Sequence, residues 1–333
     1  MSKDINITCI KGFLIILVVI GHYFQLLTSA GVVMQGAVLT IYSFHMPAFV
    51  FISGFLSKNI EKRRSRAFED LLIPFVIFQI VFVVLSLICK SGQNAITNIF
   101  YPEFALRYLL ALFIWRMILP DIIRLKGILI IAVIANILTG YFTGMTNAFA
   151  AQRMVGFLIY FLLGYYSTEQ TISKLCRIKR IPALLIMLCE VAIWIILVNN
   201  KVIDYNNWVI ILTHQAYFDH NKIYLIGIEY TLTLIIALMN IVLLFNIFCD
   251  SNNKLFERFG RSTMPIYISH AAVYIVFSRV VGLIENMYVK PIATVIVILV
   301  CLIVFSSDFY TKTFDKSISR IKSIIMVNKA TLG

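Results

Sequence analysis

The chain of 333 residues is 60% hydrophobic and only 14% charged, whereas a soluble domain of this length carries roughly 25% charged residues. Its apolar residues form blocks of about 17–25, the length that crosses a bilayer as a helix, and the short alternating segments of a membrane barrel are absent. The net charge of +13 lies mostly between these blocks, which is typical of membrane-protein loops and argues against a nucleic-acid partner.

We therefore predict an all-α, polytopic transmembrane bundle of about ten spans in a single domain, with no fused extracytoplasmic domain. The predicted spans cover residues 5–27, 37–57, 70–89, 104–119, 126–142, 153–166, 181–198, 223–249, 264–283 and 290–310. The first block has no small-residue cleavage site, so we expect an anchor and not a signal peptide. With the N-terminus inside, Lys and Arg favour the inner loops by 20 to 5, which predicts two cytoplasmic termini.

The first predicted span carries Lys11 and His22. Eleven residues make about three helical turns, so both side chains lie on one face, about 16 Å apart along the axis. Each also has a simpler interpretation: Lys11 as a lysine that reaches to the membrane surface, and His22 as a packing residue.

The second predicted span contains His45, beside Pro47 and ahead of Gly54. Ionisable groups within a membrane are costly and usually functional. His45 and His22 fall at comparable depth on neighbouring helices, so they are expected to face one cavity, where a histidine suits general-base work on a hydroxyl. A metal site ranks low because no carboxylate or cysteine stands at ligand spacing nearby. Pro47 leaves a backbone carbonyl without its helical partner, and Gly54 permits close helix approach.

A basic segment follows this span and includes Arg63 and Arg66. Topology alone accounts for most of such charge. The alternative is a cytoplasmic phosphate-binding cluster, because the two arginines would lie about one helical turn apart and could grip a phosphorylated acyl donor.

These pieces together resemble the membrane-bound acyltransferase family 3, which includes fucose 4-O-acetylase-like O-acetyltransferases of cell-surface glycans. The resemblance covers essentially the whole chain, and the second-span motif is its most specific part. The motifs that carry it are Lys11-x10-His22, Phe44-His45-Met46-Pro47 with Ser53-Gly54-Phe55, Arg63-x-x-Arg66 with Ile73-Pro74, Arg153 with Gly164-Tyr165, and Phe259-Gly260-Arg261-Ser262 followed by Ile266-Tyr267-Ile268-Ser269-His270.

Two positions depart from the family pattern. Lys11 stands where the family usually has Arg, which keeps the charge and loses the bidentate fork. Arg107 lies where a Leu-Trp-Phe-Leu-like run is common, and it is interpreted either as an intramembrane charge or as an extra acceptor contact.

The resemblance implies O-acylation, mostly O-acetylation, of a sugar hydroxyl in a cell-surface polysaccharide or glycolipid. Cytoplasmic acetyl-CoA would be the co-substrate, with no bound cofactor, and Lys11, Arg63 and Arg66 would hold it. His22 is the first candidate for the base or transient acyl carrier, with His45 orienting it or polarising the carbonyl. The expected location is the bacterial cytoplasmic membrane, with a glycan or lipid-linked glycan acceptor, membrane lipids and polysaccharide assembly proteins as partners.

Two other functions stay open. Buried His, Arg and Glu within many spans also fit a proton-coupled exporter of a sugar or lipid precursor, although no inverted repeat is evident. A non-catalytic partner of a polysaccharide assembly complex is the third possibility. Thiol release from acetyl-CoA in the presence of a glycan acceptor separates an enzyme from both.

Several single residues have two interpretations. Arg153 is a candidate contact to an anionic acceptor or to a developing oxyanion. His270 either lines a donor entrance near the cytoplasmic end of its span or makes a structural hydrogen bond. His214 and Asp219 have the H-x4-D spacing of glycerolipid acyltransferases, which we attribute to coincidence because its context is missing. Glu190, in mid-span, should face a cavity or a polar partner.

Overall fold

The computed structural model describes residues 6–89, 102, 106–142, 148–215, 223–284, 286 and 288–326. Within these residues every regular element is a helix, in agreement with the predicted all-α class. The α-helices are α1 Ile7–Phe24, α2 Val32–Phe55, α3 Ile60–Ala67, α4 Ile73–Ile88, α5 Leu106–Ile122, α6 Ile128–Leu138, α7 Ala151–Tyr166, α8 Glu169–Leu175, α9 Arg180–Asn199, α10 Tyr205–Leu212, α11 Ile223–Phe248, α12 Lys254–Arg261, α13 Thr263–Gly282, α14 Val289–Phe305 and α15 Asp308–Ile325. Short 3-10 turns occupy Gln25–Ala30, Thr139–Tyr141 and Ala148–Ala150, and a π turn occupies Phe68–Leu72.

Six helices in the described part of the chain are long and apolar enough to cross a membrane. They are α1 with its 3-10 extension, α2, the α3–α4 unit, α9, α11 and α13, and the pair α14–α15, bent by 68°, makes up to seven. Large aliphatic side chains stay exposed on the outer helices, among them Ile80 at 60% and Leu188 at 63%. Such apolar surface is incompatible with water and identifies a membrane protein.

Each of the ten predicted spans coincides with a helix, but not every helix is long enough to be a span by itself. The α5, α6 and α7 helices have 17, 11 and 16 residues, and a perpendicular crossing needs about 20. The count of ten spans and the cytoplasmic position of both termini therefore stay predictions.

The central element is α2, which packs against α1, α7, α9, α10 and α11. Its closest neighbour is α7, because two glycines remove the side chains at the crossing. A Cβ atom on Gly54 would overlap the carbonyl oxygen of Phe161, and one on Gly164 would overlap that of Phe51. The predicted close approach at Gly54 is confirmed, and Gly164 of the later motif supplies the other half of the contact.

A second glycine crossing sets the position of α13. A Cβ on Gly12 of α1 would overlap the carbonyl oxygen of Phe256, and one on Gly260 of α12 would overlap that of Thr8. Since α12 leads directly into α13, this crossing fixes the height of α13 relative to α1. It thereby decides which residues of α13 meet the end of α1.

Glu190 links three helices within the core. Its Oε1 accepts hydrogen bonds from Ser43 Oγ at 2.8 Å and from Trp194 Nε1 at 3.2 Å, and its Oε2 accepts one from Asn240 Nδ2 at 2.7 Å. Both carboxylate oxygens are therefore paired, as a buried polar group requires. The expected polar partners of Glu190 are present, and through them Glu190 joins α2, α9 and α11.

Candidate active site

A cavity of about 270 Å³ lies between six of the helices. Its walls come from α1, α2, α5, α7, the α10 region and α13, so residues far apart in sequence meet there. The lining residues are Val18, His22, Gln25, Tyr42, His45, Met46, Val50, Arg107, Tyr108, Ala111, Trp115, Arg153, Phe157, Val209, Leu212, Thr213, Gln215 and Tyr267. Apolar walls with a few convergent polar groups are typical of a small-molecule site.

His22 and His45 both line this cavity. His22 stands in the last turn of α1 and His45 in the second half of α2, on two helices that pack against each other. The structure thus brings the two histidines to one cavity, as the depth argument predicted. Their chemical roles stay predictions.

The tautomer of His45 follows from its hydrogen bond within α2. Its Nδ1 lies 2.6 Å from the carbonyl oxygen of Ile41, and a carbonyl only accepts, so Nδ1 carries the proton. In neutral His45 the Nε2 atom is then a hydrogen-bond acceptor. A neutral His45 can receive a hydroxyl proton at Nε2 but cannot donate from that atom to a carbonyl.

His22 is oriented by a relay that the sequence did not predict. His270 Nδ1 lies 2.8 Å from the carbonyl oxygen of Ile266 and therefore donates to it. The Nε2 atom of neutral His270 must then accept, and it lies 3.1 Å from His22 Nδ1. His22 donates from Nδ1 to His270, which leaves its own Nε2 as the basic nitrogen.

Of the two interpretations of His270, a donor entrance or a structural hydrogen bond, this contact favours the second. His270 is fully buried and meets His22 edge to edge through this hydrogen bond, with ring centroids 5.3 Å apart. The reason is the glycine crossing between α1 and α12, which places the first half of α13 beside the last turn of α1. The alternative expectation, a hydrogen bond that positions another residue, describes the observed geometry.

Arg107 and Arg153 bring two positive charges to the cavity. Arg107 Nε donates to the carbonyl oxygen of Pro102 at 2.7 Å. Arg153 stands in the first turn of α7, and its Nε atom is buried without a hydrogen-bond partner among the described residues. No Asp or Glu occurs among the cavity-lining residues that the structure describes. Of the two interpretations of Arg107, the structure favours a side chain that faces the site.

Three tyrosines line the cavity, Tyr42, Tyr108 and Tyr267, and none was a predicted site residue. Tyr108 forms a hydrogen bond with Ser53 Oγ, and its ring meets that of Tyr267 edge to face at 5.8 Å. Ser53 and Tyr267 both belong to the family motifs, and motif membership was the sequence feature that could have identified them. Residues of the second-span motif on α2 therefore do three things. His45 lines the cavity, Ser53 forms a hydrogen bond with Tyr108 of α5, and Gly54 allows α7 to pack closely.

The three residues expected to hold the donor do not line this cavity. Lys11 is half-buried on α1, Arg63 is half-buried on α3, and Arg66 is exposed. Arg63 Nε donates to the carbonyl oxygen of Leu56 at 2.9 Å, and Lys11 lies within electrostatic range of Arg63. Arg116 of α5, which the sequence did not single out, also interacts electrostatically with Arg63. These cations lie near the start of α1, whereas His22 lies at its end. Their role in donor binding stays a prediction.

His214 is a packing residue. It is buried beside the rings of Phe157 and Tyr230, and its Nε2 lies 3.3 Å from Asn136 Nδ2. Asp219, the other half of the H-x4-D spacing, lies outside the described residues. The surroundings of His214 fit the interpretation that this spacing is a coincidence.

Comparison with known proteins gives a family and two partial relatives. The model of acyltransferase family 3, described as an acyltransferase domain, matches residues 4–310. A stretch of 84 residues is 40% identical to nodulation protein NolL of Sinorhizobium fredii (strain NBRC 101917 / NGR234), covering 22% of this chain and 23% of that protein. A stretch of 67 residues is 40% identical to nodulation protein NolL of Mesorhizobium japonicum, covering 19% and 18%. The matches thus span less than a quarter of these relatives, and no solved structure matches the chain.

Proposed function

Since the chain belongs to acyltransferase family 3, we propose that it is a membrane O-acyltransferase that transfers an acetyl group from acetyl-CoA to a sugar hydroxyl. The acceptor is a cell-surface polysaccharide or glycolipid, and the location is the bacterial cytoplasmic membrane. The observation that carries the proposal is the cavity in which His22, with its tautomer set by His270, stands beside His45. A histidine with a defined basic nitrogen is suited to general-base catalysis.

The reaction proceeds by attack of the acceptor oxygen on the thioester carbonyl. His22 Nε2 takes the hydroxyl proton as the new C–O bond forms. The C–S bond then breaks, and the proton held by His22 passes to the thiolate of coenzyme A, which leaves as the thiol. As His22 becomes cationic, its hydrogen bond to His270 becomes charge-assisted and stronger. His270 is thus a positioning residue that favours the charge developed in the transition state.

The tautomer of His45 narrows its part in this scheme. With Nδ1–H bonded to Ile41, neutral His45 offers only an acceptor at Nε2. This argues against a role in polarising the thioester carbonyl. It supports a role in accepting a hydrogen bond from a neighbouring hydroxyl of the sugar, because the reacting hydroxyl gives its one proton to His22.

Acetyl-CoA would enter from the opposite end, with its phosphates on Arg63, Arg66 and Lys11. The cavity is slightly below the usual size of ligand pockets, about 300–1,000 Å³, so it suits an acetyl thioester and one sugar rather than the whole coenzyme. Leu14 and Ile15 are fully buried on α1 between Lys11 and the cavity. We expect the pantetheine arm to pass between the helices at this level.

The test measures thiol release from acetyl-CoA by the purified full chain in nanodiscs, with surface glycan from a strain that lacks the gene as acceptor. His22→Ala should abolish acceptor-dependent release while the protein keeps normal level and thermal unfolding. Mass spectrometry and NMR of the glycan would show an acetyl group added to one sugar hydroxyl. Full release by His22→Ala, or none by the native chain, would contradict the function, and the second result would favour an exporter.

A further inference from the structure

We propose that the acceptor carries an anionic group, a carboxylate or a phosphate, which Arg107 and Arg153 hold in the cavity. This inference rests on the proposed function and names the chemical class of its acceptor. Neither the family nor the partial relatives specify such a group, and the sequence left Arg107 with two interpretations.

The charge balance of the cavity is the first argument. Two guanidinium groups, from α5 and α7, line it, and its described lining contains no carboxylate. Buried charges within a membrane protein often face a ligand path. A carboxylate or phosphate that enters this cavity would be attracted by both guanidinium groups.

The orientation of Arg153 is the second argument. Its Nε atom is buried and has no hydrogen-bond partner in the described structure, although buried donors are nearly always satisfied. Arg153 is also the third residue of α7, where the helix dipole is positive and an anion is favoured over a cation. An anionic ligand satisfies the open donor and the dipole together.

The position of the two arginines assigns this anion to the acceptor. Lys11 and His22 are eleven residues apart on α1, or about 16 Å, and the cations proposed for the donor phosphates gather around Lys11. Arg107 and Arg153 lie in the same cavity as His22. Neutral polar side chains also line this cavity and suit sugar hydroxyls, namely Gln25, Thr213 and Gln215.

The experiment compares three probes on the purified full chain in nanodiscs: methyl glucuronide, glucose 1-phosphate and methyl glucoside. One charge-assisted contact typically changes affinity by about tenfold or more. We expect at least one anionic probe to bind at least about 10-fold more tightly than the neutral glucoside. Tighter binding of the glucuronide alone identifies an acidic sugar, and of the phosphate alone a phosphate-bearing acceptor.

Variants test whether the two arginines cause the preference. Arg107→Leu and Arg153→Leu should each reduce it to less than about threefold while glucoside binding is unchanged. Arg279→Leu is the matched control, because Arg279 is exposed and does not line the cavity. Equal binding of all three probes, no measurable binding of the anions, or a preference that survives both variants would overturn the inference.

The binding readout separates this inference from the function on which it rests. If thiol release depends on His22 but no anion preference is found, the anionic acceptor is contradicted and the acyltransferase function is supported. If an anion preference is found without thiol release in any condition, the acyltransferase function is contradicted and an anion-binding site is supported.

Discussion

Replacing His270 tests whether the relay from Ile266 through His270 to His22 supports the chemistry. His270→Leu removes both hydrogen bonds of the imidazole. His270→Gln is the matched variant, because its side-chain oxygen can accept from His22 Nδ1 while its amide nitrogen donates to Ile266. The two substitutions differ in hydrogen bonding more than in size, so their comparison isolates the orientation of His22.

The expected magnitude follows from the change in this hydrogen bond during the reaction. Between neutral imidazoles it contributes about 0.5–1.5 kcal/mol, and once His22 is protonated it contributes about 1.5–3 kcal/mol. The difference between the two forms is about 1–1.5 kcal/mol, so at about 1.4 kcal/mol for each factor of ten in rate its loss corresponds to a kcat about 5–12-fold lower. Substrate affinity should change little, because His270 is not among the residues that line the cavity.

The assay is steady-state thiol release at varied acceptor concentration for the native chain, His270→Leu and His270→Gln. We expect kcat to fall in the Leu variant at nearly constant KM, and the Gln variant to stay within about twofold of the native chain. Protein level and thermal unfolding exclude a general loss of structure, since His270 is fully buried. A Leu variant within about threefold of the native kcat, or a Gln variant as impaired as Leu, would refute the reasoning.

Two further predictions concern the packing of α2. Gly54→Ala should lower the free energy of unfolding by about 1–3 kcal/mol through overpacking against α7. The control is Gly282→Ala, whose added methyl group meets no atom within 4 Å and should be neutral or slightly stabilising. Equal thermal unfolding of both variants would contradict the close crossing. Glu190→Leu removes the acceptor of the buried Trp194 Nε1 and one of the two acceptors of Ser43 and of Asn240, so it should cost about 1–3 kcal/mol, with Glu190→Gln milder. A Leu variant as stable as the native chain in thermal unfolding would contradict a stabilising role for this joint.

Much of the architecture was predictable because hydrophobic length is a local property. The apolar blocks located a helix at every predicted position, and the interruption of such blocks by polar residues marked His22, His45 and Glu190 as unusual. Gly54 was correctly predicted to be a close contact, since a missing side chain matters wherever two helices cross. The number of spans was less predictable, because α5, α6 and α7 are apolar yet short.

The helical membrane class, the family motifs and the candidate histidines can be read from the chain, because they depend on composition and on spacing along one helix. Which residues meet depends on how the helices pack. The height of α13 against α1 depends on the contact of Gly12 with α12, and that contact places His270 beside His22 although they are 248 residues apart. The meeting of Arg107 and Arg153 in one cavity has the same origin, since separation in sequence does not reveal which helix ends converge.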